Sequence, residues 1–247
     1  MISLPQTREE NAARVRQVAR ALAAESEGQP IFLVDGDRTL CSEDTSRVFL
    51  RRAGIDPMII KRRFQRDGYC FEAFRFHAEV HVDLGVEVFD SLAPEVARDV
   101  KLYDGAVDFL RAASRVGAVF IVSAGIPSIW REVTARHHLD SVKVIGGIDP
   151  RMPFVFGKAE KTLVLDEFLD VSPCVVAIGD SEVDAGMLAR AHHAVVLVNH
   201  RANADLLPHL DDHPSLWQVA TIYPPHHDIP HLTFADIVQL RERPVCR

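Results

Sequence analysis

Cysteine is scarce: Cys41, Cys70, Cys174 and Cys246 stand far apart in 247 residues and never form a CxxC pair. That spacing excludes a disulfide scaffold or a cysteine zinc site as the organising element and suits reduced thiols. Long apolar runs are missing too. Nothing approaches the ~20 residues needed to span a bilayer, and the opening MISLPQTREENAARV has no basic segment followed by an apolar one. A cytoplasmic protein is expected. Positive charge is in deficit, with a formal charge of −7, which argues against nucleic acid or a membrane surface as the main partner. KRRFQR at 61–66 is the only dense basic run and reads as a solvated helix face.

What is present is an ordinary globular composition, 47% hydrophobic and 26% charged, long enough for one core with a smaller companion. Residues 7–25 read as an amphipathic helix behind a Thr7–Glu10 capping box. IFLV at 31–34 is a buried strand. After residue 102, apolar strands at 118–124, 142–147, 174–180 and 194–199 alternate with helices at 105–117, 127–138, 158–169 and 183–191. Continuous apolar strands between helices predict an α/β fold, a Rossmann-like parallel sheet with helices on both faces. Residues 41–101 break that rhythm with helical patterns alone. They read as a small helical domain inserted after the first strand, which splits the core into 1–40 and 102–247. The tail beyond Asn203 is less regular, and YPPHHDIPH at 223–231 reads as a proline-rich surface wrap rather than a metal site.

In parallel sheets ligands bind beyond the carboxyl ends of the strands. The first strand ends in Asp35 and Asp37, the second in Ser123, and CVVAIG in Asp180 with Asp184 four residues on. Each carboxylate makes its neighbours harder to ionise, so a cluster of Asp35, Asp37 and Asp180 needs a hard cation, and an all-oxygen site suits Mg²⁺. Asp35 could then act as a nucleophile on phosphorus. Asp37 is placed to protonate the leaving oxygen and later to activate water. Ser123 and Lys158 would hold phosphoryl oxygens, along with the backbone N–H groups of the 36–38 turn.

These stretches resemble the haloacid dehalogenase-like phosphohydrolase superfamily. DGDRT (35–39) resembles its DxDxT signature, FIVSAG (120–125) its second motif, GKAEKTL (157–163) its lysine motif and IGDSEVDAGML (178–188) its GDxxxD motif. The resemblance implies an aspartyl-phosphate on Asp35 and Asp37 as acid and base. It implies metal ligation by Asp35, the Asp37 carbonyl and Asp180, with Asp184 in support. Lys158 matches the motif lysine through its K-[GA]-E context, with Lys161 in reserve. Gly36, Arg38, Thr39, Ser123, Ala124 and Gly125 are the expected phosphate surroundings.

The insertion resembles the C1 cap of the phosphoserine phosphatase subgroup. Asp44 sits where that subgroup carries a glutamate thought to meet the substrate ammonium, whereas the subgroup's cap arginine has no match, Arg75 and the 61–66 cluster being merely nearby. Phe71, Phe74 and Phe76 read as cap core, with pocket lining as the other reading. The expected partner is a small phosphorylated metabolite, and the oligomeric state is open. The rival readings are a phosphotransferase or mutase of the same superfamily, a metal-independent dehalogenase, and a phospho-accepting signalling domain.

Overall fold

The computed structural model describes residues 3–244, so Cys246 lies outside the described residues. Helix α1 (Arg8–Ala24) starts at Thr7, whose hydroxyl accepts from the Glu10 N–H, while the Glu10 carboxylate turns back to the Gln6 N–H. Strand β1 (Ile31–Val34) is buried along its whole length. The chain then forms α2 (Thr45–Arg52), α3 (Met58–Asp67), α4 (Phe71–Val82) and α5 (Val86–Asp99) before any second strand. It leaves and re-enters the sheet domain at one place. Cys41 and Leu102 form an isolated antiparallel bridge, and the Tyr103 N–H donates to the Leu40 carbonyl. Residues 42–101 lie between those paired ends.

Next come α6 (Ala106–Ala113), β2 (Ala118–Val122), α7 (Pro127–Arg136), β3 (Lys143–Ile145), α8 (Lys158–Leu169), β4 (Val175–Gly179), α9 (Ala185–Arg190) and β5 (His193–Leu197). β6 (Leu216–Val219) and the short α10 (Phe234–Ile237) follow. The sheet order is β3-β2-β1-β4-β5-β6, and every pairing is parallel. This is the expected Rossmann-like α/β architecture. β6 lies in the stretch read as irregular, where four residues without flanking periodicity carry too little strand signal. The histidine- and proline-rich tail runs along β6: Gln218 exchanges backbone bonds with Pro230 and Leu232, and its side chain bonds the backbone of His226 and Ile229.

Because successive strand residues face opposite ways, the sheet has two apolar faces. Phe32, Val34, Ile121 and Ile178 meet Phe109 of α6, Trp130 and Val133 of α7 and Ile237 of α10. Ile31, Leu33, Phe120 and Ala177 meet Val15 of α1, Leu165 and Phe168 of α8 and Leu188 of α9. Phe49, Phe74, Phe89 and Val96 of the insertion join the first cluster. Phe74 is therefore core, as its periodicity suggested, while Phe71 and Phe76 lie under the guanidinium groups of Arg8 and Arg63. The basic run on α3 is spent on surface ion pairs: Arg62 with Asp56, and Arg63 and Arg66 with Asp67. Arg75 pairs with Glu79 and Gln6.

Candidate active site

Parallel register gathers the site. Val34, the last residue of β1, pairs with Ile121 on one side and Ile178 on the other. Asp35 follows Val34, and Ser123 and Asp180 each lie two residues beyond those partners. The chain turns to opposite sides of the sheet around β1, so this edge is the crevice where such folds bind ligands.

Asp35 is 6% exposed, Asp180 2% and Asp184 fully buried. One oxygen from each falls within 4.8 Å of the others, the only such cluster of three or more candidate metal ligands among the described residues. Thr39 Oγ1 donates to Asp35 Oδ2 at 3.1 Å. Asp184 Oδ2 accepts from the backbone N–H groups of Asp180 and Ser181 and from the Ser181 hydroxyl, which pins the turn after β4. Asn199 and Asn203, just past β5, donate to the Asp180 carbonyl at 2.8 Å each. Neither asparagine was anticipated, although Asn199 ends an apolar strand and the strand-end rule that found Asp180 would have found it.

The lysine is a correction. Lys158 is the first residue of α8 and turns outward to Glu182 Oε1 at 2.9 Å, in a pair about one-third exposed. Lys161, one turn in, is buried with its Nζ 2.5 Å from Asp35 Oδ1 and 2.6 Å from Asp184 Oδ1. At ~100° per residue, three positions bring the side chain almost back to the same helix face, one turn deeper. That face carries Val164, Leu165 and Phe168 into the core.

Asp37 lies beside the cluster. Its Oδ1 accepts from Thr45 Oγ1 at 2.7 Å and Trp130 Nε1 at 3.2 Å. Its Oδ2 has no hydrogen-bond partner among the described residues and borders Gly125 and Ser123, since a Cβ added at Gly125 would stand 3.1 Å from Asp37 Oδ2 and 3.2 Å from Ser123 Oγ. Ser123 Oγ accepts the Gly125 N–H at 3.0 Å, which leaves its proton to donate. Thr45 and Trp130 were not singled out by sequence, because their contact with Asp37 exists only in the folded chain.

Gly36 is required by space. A Cβ there would penetrate the Trp130 indole, 2.6 Å from Nε1. Gly36→Ala is expected to cost about 1–3 kcal/mol, the usual range for overpacking, and to slow turnover by displacing Asp37's partner. Chemical denaturation of the variant checks the first effect. Asp44 is the side-chain N-cap of α2: its Oδ1 accepts from the Arg47 N–H and the Ser46 hydroxyl at 3.0 Å each.

The charge balance of this edge is unfavourable for the protein alone. Burial pushes Asp35 up to about 6, against Lys161 and with help from Asp184. Burial and then Asp44 push Asp37 up to about 7. Burial does the same to Asp180, up to about 7, with Arg38 opposing. Lys161 is held protonated above its ordinary range: burial opposes its charge, and Asp184 and Asp35 outweigh it. One buried ammonium among several carboxylates leaves surplus negative charge in an all-oxygen donor set. Those donors fit a hard divalent cation.

A pH signature follows. Carboxyls with folded pKa values of 6–7, against an ordinary 3.8, bind protons in the folded state that the unfolded chain has released. Their stabilising contribution is therefore full below about pH 4 and lost as pH rises through 6–7. Added Mg²⁺ competes with those protons, so saturating Mg²⁺ should raise the melting temperature several degrees more at pH 8 than at pH 5.5. Equal shifts at both pH values in thermal scans would count against ligation by these carboxyls.

Comparison with known proteins gives a family and a fold. The family model for haloacid dehalogenase-like hydrolases matches residues 32–189. None of the curated proteins matches the sequence. Among solved structures, a Bordetella pertussis Tohama I protein of unknown function superposes with a TM-score of 0.60 at 16% identity, covering 79% of this chain and all of that one. A phospho-aspartyl intermediate analogue of phosphoserine phosphatase gives 0.57 at 16% identity, over 87% of this chain and 99% of its own. Cytosolic 5'-nucleotidase IIIB bound to cytidine gives 0.56 at 13%, over 96% and 93%. At these identities the structural likenesses establish the fold. Among the described residues no helix is long and apolar enough to cross a membrane.

Proposed function

Because the chain belongs to the haloacid dehalogenase-like hydrolases, we propose that it is a Mg²⁺-dependent phosphatase acting on small phosphate monoesters through an aspartyl-phosphate on Asp35. The observation that carries this reading is the pairing of two different carboxyls at one strand end. Asp35 is pinned by Lys161 and Thr39, while Asp37 keeps one oxygen without a partner among the described residues and is pushed up to about 7 by burial. A fixed nucleophile beside a group that can both give and take a proton at pH 7 is what a two-step phosphoryl transfer requires. The phosphoserine phosphatase likeness supports the same chemistry.

In the first step an Asp35 carboxylate oxygen attacks phosphorus as the bond to the leaving oxygen breaks, and Asp37 Oδ2 delivers its proton to that oxygen. In the second, Asp37 takes a proton from water as the water attacks phosphorus and the bond to Asp35 breaks, releasing inorganic phosphate. Lys161, the Ser123 hydroxyl and the N–H groups of the 36–38 turn complement the phosphoryl charge. A bound Mg²⁺, held by Asp35, Asp180 and the Asp37 carbonyl with Asp184 behind them, would supply charge neutralisation to the phosphoryl oxygens.

Residues 41–101 act as the cap in this reading. Their two ends meet at the Cys41–Leu102 bridge, and Thr45 at the start of α2 holds Asp37. The acid is thus oriented by the same segment that screens the site from water.

The test uses Asp37→Asn with p-nitrophenyl phosphate and Mg²⁺. Its leaving group needs little protonation, so phosphorylation of Asp35 should proceed while hydrolysis stalls. Acid-quenched mass spectrometry should then find a phosphoryl group on Asp35, and steady-state turnover should fall ~10²- to 10⁴-fold. A near wild-type rate removes Asp37 from the mechanism. In the wild type, rapid turnover separates this reading from a phospho-accepting signalling domain, which would stay phosphorylated.

A further inference from the structure

Arg38 is an anomaly at the centre of the candidate site. Its φ of +65° lies in the left-handed region, which costs an L-residue about 1–2 kcal/mol. Its backbone N–H is used, donating to the Glu43 carbonyl at 3.1 Å. Its guanidinium is not: the side chain is 47% exposed, and none of its N–H donors has a hydrogen-bond partner among the described residues. The nearest ion-pair partner is Asp44 Oδ2 at 3.7 Å. Asp44 has committed its other oxygen to the N-terminus of α2, so it restrains the arginine by charge without taking a donor.

The side chain lines a small cleft with Asp180, Asn199, Arg201 and Tyr69, the last from the turn between α3 and α4. The other long cations at this edge are already paired at hydrogen-bond distance, Arg201 with Asp205 at 2.8 Å and Lys158 with Glu182 at 2.9 Å. Arg38 is therefore a planar fork of donors held in a strained turn next to Asp180 and facing the insertion. An observed backbone outlier at such a place points to a role that outweighs its cost. Glu182 and Asp205 also line the cleft but are paired with Lys158 and Arg201, so a carboxylate or phosphate entering beside Arg38 would find a bidentate partner not already bonded within the described residues.

We propose that the Arg38 side chain binds a second anionic group on the alcohol portion of the substrate, so that the preferred esters are phosphate monoesters carrying a further carboxylate or phosphate. This rests on the phosphatase reading above, in which phosphorus lies at Asp35 and the alcohol extends toward the insertion.

The test compares matched two-carbon esters with Mg²⁺: phosphoglycolate, 1,2-ethanediol bisphosphate, ethyl phosphate and phosphoethanolamine. Wild type should favour the better of the two anionic esters over ethyl phosphate by about 10- to 100-fold in kcat/KM, the range expected for charged hydrogen bonds, and should disfavour phosphoethanolamine. Which anionic ester leads tells carboxylate from phosphate. Arg38→Gly keeps the turn, because glycine adopts this φ freely, and should compress the preference to within about threefold.

Calorimetry on Asp35→Asn, with and without Arg38→Gly, reads the same discrimination as binding without turnover. Turnover without an Arg38-dependent preference overturns this inference alone. Absence of turnover for every ester overturns the phosphatase reading, and if Arg38-dependent binding is absent as well, both fall.

Discussion

Replacing Lys161 with methionine is expected to cost about 3–5 kcal/mol, because it leaves two buried carboxylates without their cation. For a chain of this size that corresponds to a fall in melting temperature on the order of 10 °C. Lys161 is almost completely buried, and its Nζ touches both Asp35 and Asp184, so no solvent is available to screen the loss. Lys158→Met is the control. That lysine's pair with Glu182 is about one-third exposed, where ion pairs are worth at most ~1 kcal/mol.

Activity should divide in the same way. Lys161→Met should lose at least ~10²-fold in kcat through the lost charge at the phosphoryl group, while Lys158→Met should stay within a few-fold. A pH series adds a sign. Without Lys161, Asp35 loses the neighbour that favours its ionised form, so the variant should recover part of its stability as pH falls toward 5. Equal damage from the two substitutions, or greater damage from Lys158→Met, would reverse the assignment.

That lysine also marks how far the sequence could be read. Strand ends were legible because parallel register leaves little choice: once IFLV, AVFIV and VVAIG are neighbours, Asp35, Ser123 and Asp180 share an edge. Local motif context favours Lys158 over Lys161 but carries no helical phase. The phase was nonetheless present. Lys161, Val164, Leu165 and Phe168 repeat as the buried face of a helix, and a lysine on such a face needs buried acidic partners. The roles of Trp130 and Thr45 were not legible, because residues 93 and 8 positions from Asp37 meet it only through packing. Asp44 shows a third limit. The resemblance implies a substrate contact there, whereas the structure shows its Oδ1 capping α2. β6 was missed for want of length.

Asp35→Asn should abolish turnover, by on the order of 10⁴-fold or more as for removal of a nucleophile, and leave the fold intact. An amide has nearly the same shape as the carboxylate, so the Thr39 and Lys161 contacts are altered in charge more than in volume, but its oxygen cannot attack phosphorus. The stability consequence separates loss of chemistry from loss of structure. Asp35 is buried with its carboxyl pushed up to about 6, so above that pH the wild type keeps a charge there that burial opposes. Asparagine removes that burden, while Lys161 retains Asp184 as its partner. Metal-free Asp35→Asn should therefore melt no more than a few degrees from wild type at pH 8 and respond less to Mg²⁺. Circular dichroism and a magnesium titration read both, and acid-quenched mass spectrometry should find no phosphorylated protein after incubation with p-nitrophenyl phosphate. A folded variant that still hydrolyses phosphate esters would move the nucleophile elsewhere, with Asp180 and Asp184 the remaining carboxylates of the buried cluster and Asp37 beside them.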